Sequence, residues 1–209
     1  MVALALLLAC GGGAAVFRGT QLADYMPLDP LLRAFYTSDD YANADGYDLV
    51  VTRMEPTEIT GGFEIVTLEY ALTKDDGPEI LATVQWSSDS SGIRIHGYGA
   101  GSEPATRYAT PVLVARQYMQ RGESLTTDTD GLSITSTFVD FQACPVPFGV
   151  DFDECAHINI DDGDGDPNAG PFYVGEYWLV PRYGVAWMKN TGAAVPWELT
   201  DYEQRTEDE

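Results

Sequence analysis

From Tyr47 to Asp201 the chain is a succession of short β-branched and aromatic runs cut by turn residues, and no long stretch keeps an amphipathic helical period. Tyr47–Glu55 and Phe63–Lys74 alternate in part, with Gly61-Gly62 and Asp75-Asp76-Gly77-Pro78 as punctuation, as strands do. Ile80–Trp86 and Ile93–Tyr98 read as the next pair, joined through the polar run Ser87–Gly92. Beyond a polar crossover at Gly101–Thr106 come Leu125–Thr129 and Leu132–Gln142, split by Asp130-Gly131, then a hairpin from Cys144 to Cys155. Phe172–Val180, Gly184–Lys189 and Trp197–Asp201 close the series. Asp29-Pro30 places a capping residue before a proline suited to a first helical position, so Leu31–Tyr36 is expected as a short helix. Val114–Gln120 is expected as another, although both runs are apolar enough for strands. The expected class is all-β and mainly antiparallel: a curved sheet, an open barrel or a sandwich, with one or two short helices.

The 209 residues suffice for one domain with a real core, expected over residues 21–203 and followed by an acidic tail at 204–209. Asp and Glu number 33 against 11 Lys and Arg, giving a formal charge of −22 spread along the chain. Such a field repels phosphate backbones and anionic headgroups, which argues against nucleic-acid binding and favours solubility, for example in a salty medium.

The uninterrupted apolar run Val2–Ala9 ends in Leu7-Leu8-Ala9-Cys10 and is followed by Gly11-Gly12-Gly13. This resembles a bacterial lipobox. The resemblance implies that residues 1–9 are a signal peptide, that Cys10 is acylated and becomes the first mature residue, and that the chain is anchored by lipid to a membrane. Gly11 in place of the Asp of an inner-membrane retention signal points to the outer membrane, facing the periplasm or the cell surface. No Lys or Arg precedes Arg18, so a basic leader is expected upstream of Met1; the alternative is a frayed apolar terminus. The run is too short for a spanning helix, which needs about 20 apolar residues. Gly11–Thr20, small and mostly uncharged, reads as a flexible tether.

With Cys10 carrying lipid, Cys144 and Cys155 remain as an even pair, which in an oxidising compartment reads as one disulfide. Phe148-Gly149-Val150-Asp151 suits a two-residue hairpin turn, and counting outward from it sets Cys144 opposite Cys155. Directly opposed residues have Cα atoms about 4.5 to 5.5 Å apart, within bridging range. Two buried free thiols are the alternative.

Tyr25-Met26-Pro27-Leu28, the hairpin Val146-Pro147-Phe148-Gly149-Val150-Asp151-Phe152 and the closing Tyr177-Trp178-Leu179-Val180-Pro181-Arg182-Tyr183-Gly184-Val185 are together similar to a group of exported β-rich bacterial lipoproteins of unassigned function. The Gly and Trp usual after the Pro-Leu entry of that group are replaced here by Leu31–Tyr36. The resemblance implies a curved antiparallel sheet of the lipoprotein-carrier type, whose concave face holds an apolar ligand.

Asp162, Asp164, Asp166 and Asn168 place oxygen ligands at alternate positions of an Asp-rich run, a pattern suited to Ca²⁺. It resembles the Asp-rich calcium loops of secreted repeat proteins and departs from the EF-hand, since Pro167 stands where that loop needs Gly and no Glu closes it. A solvated turn is the alternative. The chain has two His, His96 and His157, and neither lies in a motif that supplies a base to a nucleophile; no Gly-x-Ser-x-Gly elbow occurs. His96 is expected as a strand-face residue. Trp86, Trp178, Trp187 and Trp197 with twelve Tyr would line a glycan or lipid surface or, more commonly, pack the sheet. The expectation is therefore a non-catalytic lipoprotein that binds an apolar ligand or a protein partner, or else a calcium-stabilised structural or adhesion protein.

Overall fold

The computed structural model describes residues 16–18, 25–26, 28, 32–38, 49–54, 56, 58–60, 63–116, 118–144, 155–164, 170–181, 183–190, 193 and 195–204. Among them helical geometry is confined to Tyr25. Fifteen strands account for most of the rest: β1 (Val16–Arg18), β2 (Leu32–Thr37), β3 (Leu49–Arg53), β4 (Glu58–Thr60), β5 (Phe63–Leu72), β6 (Glu79–Asp89), β7 (Gly92–Ala100), β8 (Thr106–Arg116), β9 (Tyr118–Gln120), β10 (Glu123–Thr129), β11 (Leu132–Gln142), β12 (Cys155–Asp161), β13 (Gly175–Val180), β14 (Gly184–Asn190) and β15 (Trp197–Gln204).

All pairings are antiparallel, and one path runs β10-β11-β12-β13-β14-β15-β2-β3-β5-β6-β7-β8, with β4 appended to β5. The two ends of that path, β8 and β10, lie side by side, so the sheet curls into a nearly closed barrel. Their edges are joined by side chains. Thr110 N donates to Thr129 Oγ1 at 3.1 Å, Leu113 N to Thr127 Oγ1 at 3.3 Å and Ala109 N to Asp130 Oδ2 at 2.9 Å, while Arg116 pairs with Glu123 across the same seam. Asp130 reaches that far because it sits in the two-residue turn between Thr129 and Leu132, with φ of 49° followed by 84° at Gly131, the left-handed pair that favours Asp-Gly in a tight hairpin.

Period-2 alternation sends one side of each strand inward. In β2 the burial alternates strictly, with Leu32, Ala34 and Tyr36 inside, and β11 contributes Ile134, Ser136 and Phe138 in the same way. The outward side carries residues such as Glu64, Arg94, Ser124, Thr126, Asp128 and Lys189. That is the reverse of a membrane-spanning barrel, whose outward band is apolar.

Large side chains fill the interior. Tyr36, Tyr70, Trp86, Phe138, Tyr177 and Trp197 are each at most 3 % exposed. Burial of such side chains is the main stabilising term, roughly 1.5 to 3 kcal/mol for each large apolar group. Pro171–Val174 turns inward over the interior before β13 begins: Tyr173 is 1 % exposed, packs edge-on against Tyr98 and Tyr108, and shares a 2.8 Å hydroxyl contact with Tyr108. The Tyr177 hydroxyl donates to Tyr173 O at 2.6 Å, and Asn190 Nδ2 donates to Phe172 O and to the Tyr177 hydroxyl at 2.8 and 2.7 Å. Met26, from the segment singled out in the sequence as an entry motif, is 2 % exposed and inserts among Trp86, Ile93 and Val114.

Several local expectations are corrected. Leu32–Thr37 and Val114–Arg116 are strand rather than helix, because β2 is paired on both edges, with β15 and β3, and Val114–Arg116 completes β8; Tyr118–Gln120 is β9. A short apolar run does not reveal its own period, and two flanking strands decide it. Gly101–Ala105 is a hairpin connection and not a crossover, since β7 and β8 pair directly and Thr106 already belongs to β8. Val16–Arg18, within the expected tether, pairs as β1 with β9.

Candidate functional site

Cys144 and Cys155 form a disulfide with Cα atoms 5.1 Å apart. The expected register does not hold. Gln142, not Cys144, pairs with Cys155, and a bulge between Phe138 and Asp140 shifts the ladder again. The bridge therefore lies at the loop end of the β11–β12 hairpin, joining Cys155 of the last ladder pair to Cys144, two residues beyond its partner Gln142. The proposed turn at Phe148–Asp151 lies outside the described residues.

The bridge borders a small second core on the outer face, where Cys155, Val180 and Ala186 are fully buried against Trp178, Tyr183 and Trp187. Cross-strand register builds a row there: His157 of β12 opposes Trp178 of β13, Trp178 opposes Trp187 of β14, and Trp187 opposes Glu198 of β15. The His157 imidazole lies parallel to the Trp178 indole at 3.7 Å, and Trp187 is turned 78° from Trp178 at 4.3 Å. All three rings are half-buried. Two residues along the same strands a polar row runs parallel to it, Asn159 opposing Glu176 and Glu176 opposing Lys189. Gly175, which begins β13, admits no side chain: its Cβ would fall 2.1 Å from Lys189 O.

Burial lowers the His157 pKa from its ordinary value, and nearby Glu176 only partly restores it. Among the described residues neither ring nitrogen has a hydrogen-bond partner. Burial thus favours the neutral imidazole, the form that stacks on an indole without giving up hydration of a charge.

The Asp-rich segment leaves β12. Gly163 N donates to Asp161 Oδ1 at 2.8 Å and Asp164 N to Asp162 Oδ1 at 3.4 Å, so these carboxylates fold the backbone around themselves. Burial, and then the charge of Asp164, raise the Asp162 pKa. The Asp162 carboxylate occupies the space a side chain at position 170 would need, so the two residues lie side by side. Among the described residues no group of three or more His, Cys, Asp or Glu is arranged to hold a metal ion; Asp166 and Asn168 lie outside them, as does Cys10.

Sequence reading treated His96 as a strand-face residue. It lies on a strand but is 4 % exposed, with Nε2 2.8 Å from the Oγ of Ser87, which is fully buried. A nucleophile needs a base at this distance and also a path for substrate, and Ser87 lacks that path. Among the described residues an apolar gap in the interior, lined by Met26, Trp86, Val114, Ile158, Tyr177 and Val185 among others, has a volume of about 10 Å³. That is about the space of one water-sized sphere, far below the 150 Å³ of an engineered cavity that takes up benzene.

The aromatic row was the feature sequence reasoning missed. The Trp178–Trp187 half had a signal, since both lie nearly equidistant from the turn at Pro181–Gly184, whose Gly184 has φ of 83°. His157 had none, because its strand reaches β13 only after the long segment that contains the Asp loop. No family model matches the chain, and no curated protein or solved structure is significantly similar to it.

Proposed function

We propose that this chain is a non-catalytic, lipid-anchored binding module of the cell envelope, held in the outer membrane through Cys10, that meets its partner on the outside of the barrel. One observation carries the choice of surface over interior. A carrier must leave room for its apolar cargo, and the interior gap that the described residues Met26, Trp86 and Tyr177 help to line holds only about 10 Å³. The leader resemblance at Leu7–Cys10 supports the anchor, and the bridge between Cys144 and Cys155 suits an oxidising compartment.

Native mass spectrometry of the protein recovered from its own cells tests the reading. The expected mass is that of the chain processed at Cys10 with its acyl groups and no retained apolar ligand. A stoichiometric hydrophobic cargo would overturn the surface reading, and an unmodified Cys10 with equal detergent partitioning of wild type and Cys10→Ser would overturn the anchor.

A second reading, calcium stabilisation at Asp162, Asp164, Asp166 and Asn168, is favoured by the raised pKa of Asp162. A cation there would offset both the burial of that carboxylate and its repulsion by Asp164.

A further inference from the structure

We propose that the outer-face row His157–Trp178–Trp187–Glu198, with the parallel row Asn159–Glu176–Lys189, is a binding site for a neutral, extended oligosaccharide. The proposal deepens the surface-binding reading and rests on its claim that recognition occurs outside the barrel. It does not depend on the anchor.

The two rows present complementary chemistry on one face of the sheet. Trp178 is covered by the stacked His157, and Trp187, half-buried and turned 78° from it, offers apolar, electron-rich indole surface of the kind that packs against the C–H face of a sugar ring. Glu176 and Glu198 are exposed acceptors, Lys189 is an exposed donor, and Asn159 supplies both. Sugar hydroxyls donate and accept at once, so a mixed set suits them better than a set of one sign. From His157 to Glu198 the row crosses three inter-strand gaps, about 14 Å at about 4.8 Å each, and the polar row lies about 6.8 Å further along the strands. These dimensions fit roughly two to three linked sugar rings with their hydroxyl edges over the polar row.

The alternatives fit less well. β12 and β13 are laddered on both edges and β14 meets β15 through Trp187 and Met188, so an added peptide strand finds no continuous free edge beside the row among the described residues. A polyanionic glycan is repelled by the −22 charge of the chain, whereas a neutral one is indifferent to it. The stack of His157 on Trp178 and the neighbouring disulfide hold the platform in place before any ligand arrives, which lowers the ordering cost of binding.

The test is a tryptophan-fluorescence and calorimetric titration of the full-length chain with chitohexaose, cellohexaose and maltohexaose, and with hexagalacturonate as the anionic comparator. At least one neutral hexasaccharide should bind with a change in indole emission, and hexagalacturonate should not. Trp187→Ala should weaken binding about tenfold or more. Because that variant removes packing as well, the exposed pair Lys189→Ala with Glu198→Gln provides a second reading in a chain whose melting temperature is unchanged, with an expected loss of about threefold or more. No binding of any neutral hexasaccharide at millimolar concentration, or wild-type affinity in both variants, overturns the proposal. A retained interior cargo in the mass spectrum would overturn the surface reading instead, without changing these titrations, so the two failures are distinguishable.

Discussion

The Tyr36 hydroxyl donates a 2.8 Å hydrogen bond to the carbonyl of Val185, 149 residues away in sequence, and both partners are buried. The bond ties β2 to β14 across the intervening β15, early chain to late chain, on the inner face of the curl. Burial raises the phenol pKa far above its ordinary value, with Arg53 opposing, so the group stays a donor throughout the working pH range. Tyr36→Phe should lower unfolding free energy by about 1 to 2 kcal/mol, because it leaves a buried carbonyl unpaired while keeping the ring. Urea titration of the two proteins measures this; equal midpoints would mean that the carbonyl finds another donor.

The Cys144–Cys155 bridge spans a sequence separation of 11, for which loop-closure entropy gives about 3 kcal/mol. Cys144→Ala with Cys155→Ala should lose about that much, less whatever the alanines regain by packing under Trp178 and Tyr183. Wild type treated with reductant should move to the same midpoint. Thiol labelling of the denatured, non-reduced chain should find neither cysteine.

At the barrel seam, Thr127→Val with Thr129→Val retains side-chain shape and removes the acceptors that cap the Leu113 and Thr110 amides. A cost of about 1 kcal/mol per lost bond is expected. The larger consequence is exposure of a sheet edge able to pair with another chain. Hydrogen exchange should quicken at residues 110 and 113, and light scattering should show association. A monodisperse variant with unchanged exchange would show that the backbones close the seam without the hydroxyls.

Acidification should weaken the fold through His157. Its folded pKa lies below the unfolded value near 6.5, so in the window between them the unfolded chain binds more protons. The contribution is complete above 6.5 and is lost as pH falls through the folded value. His157→Phe keeps a ring on Trp178 and removes the proton. The drop in melting temperature from pH 7.5 to 5.5 should therefore be smaller in the variant than in wild type; equal drops would place the titration elsewhere.

For the Asp loop, millimolar Ca²⁺ should raise the melting temperature more than Mg²⁺ at matched ionic strength, and Asp162→Asn with Asp164→Asn should abolish the difference. At a hundredfold excess over Kd the gain is about 2.7 kcal/mol. The affinity is expected near 10⁻⁴ to 10⁻³ M, as in extracellular modules. Equal responses to the two ions would indicate screening alone.

The all-β class, the turn at Asp130-Gly131 and the limits of Leu132–Gln142 were legible in the chain, because alternation and turn chemistry are local. The disulfide partners were legible from their number and spacing, while their register was not: the ladder ends at the pair Gln142–Cys155, two residues short of Cys144, and where a strand stops pairing is not set by local turn chemistry. The helix expected at Leu31–Tyr36 gives way to the strand Leu32–Thr37 because six mixed residues suit either period until β15 and β3 flank them.

The chain by itself determined that most of its runs, Leu31–Tyr36 and Val114–Gln120 excepted, would be strands and where several of them would turn, since these depend on neighbours within a few residues. Only the tertiary structure decided that the sheet curls until β8 meets β10, that Tyr173 and Met26 fill its interior, and that His157, Trp178, Trp187 and Glu198 stand in one row. Each of these rests on contacts between segments distant in sequence, where strand order and register set what meets, and neither is written in any single segment.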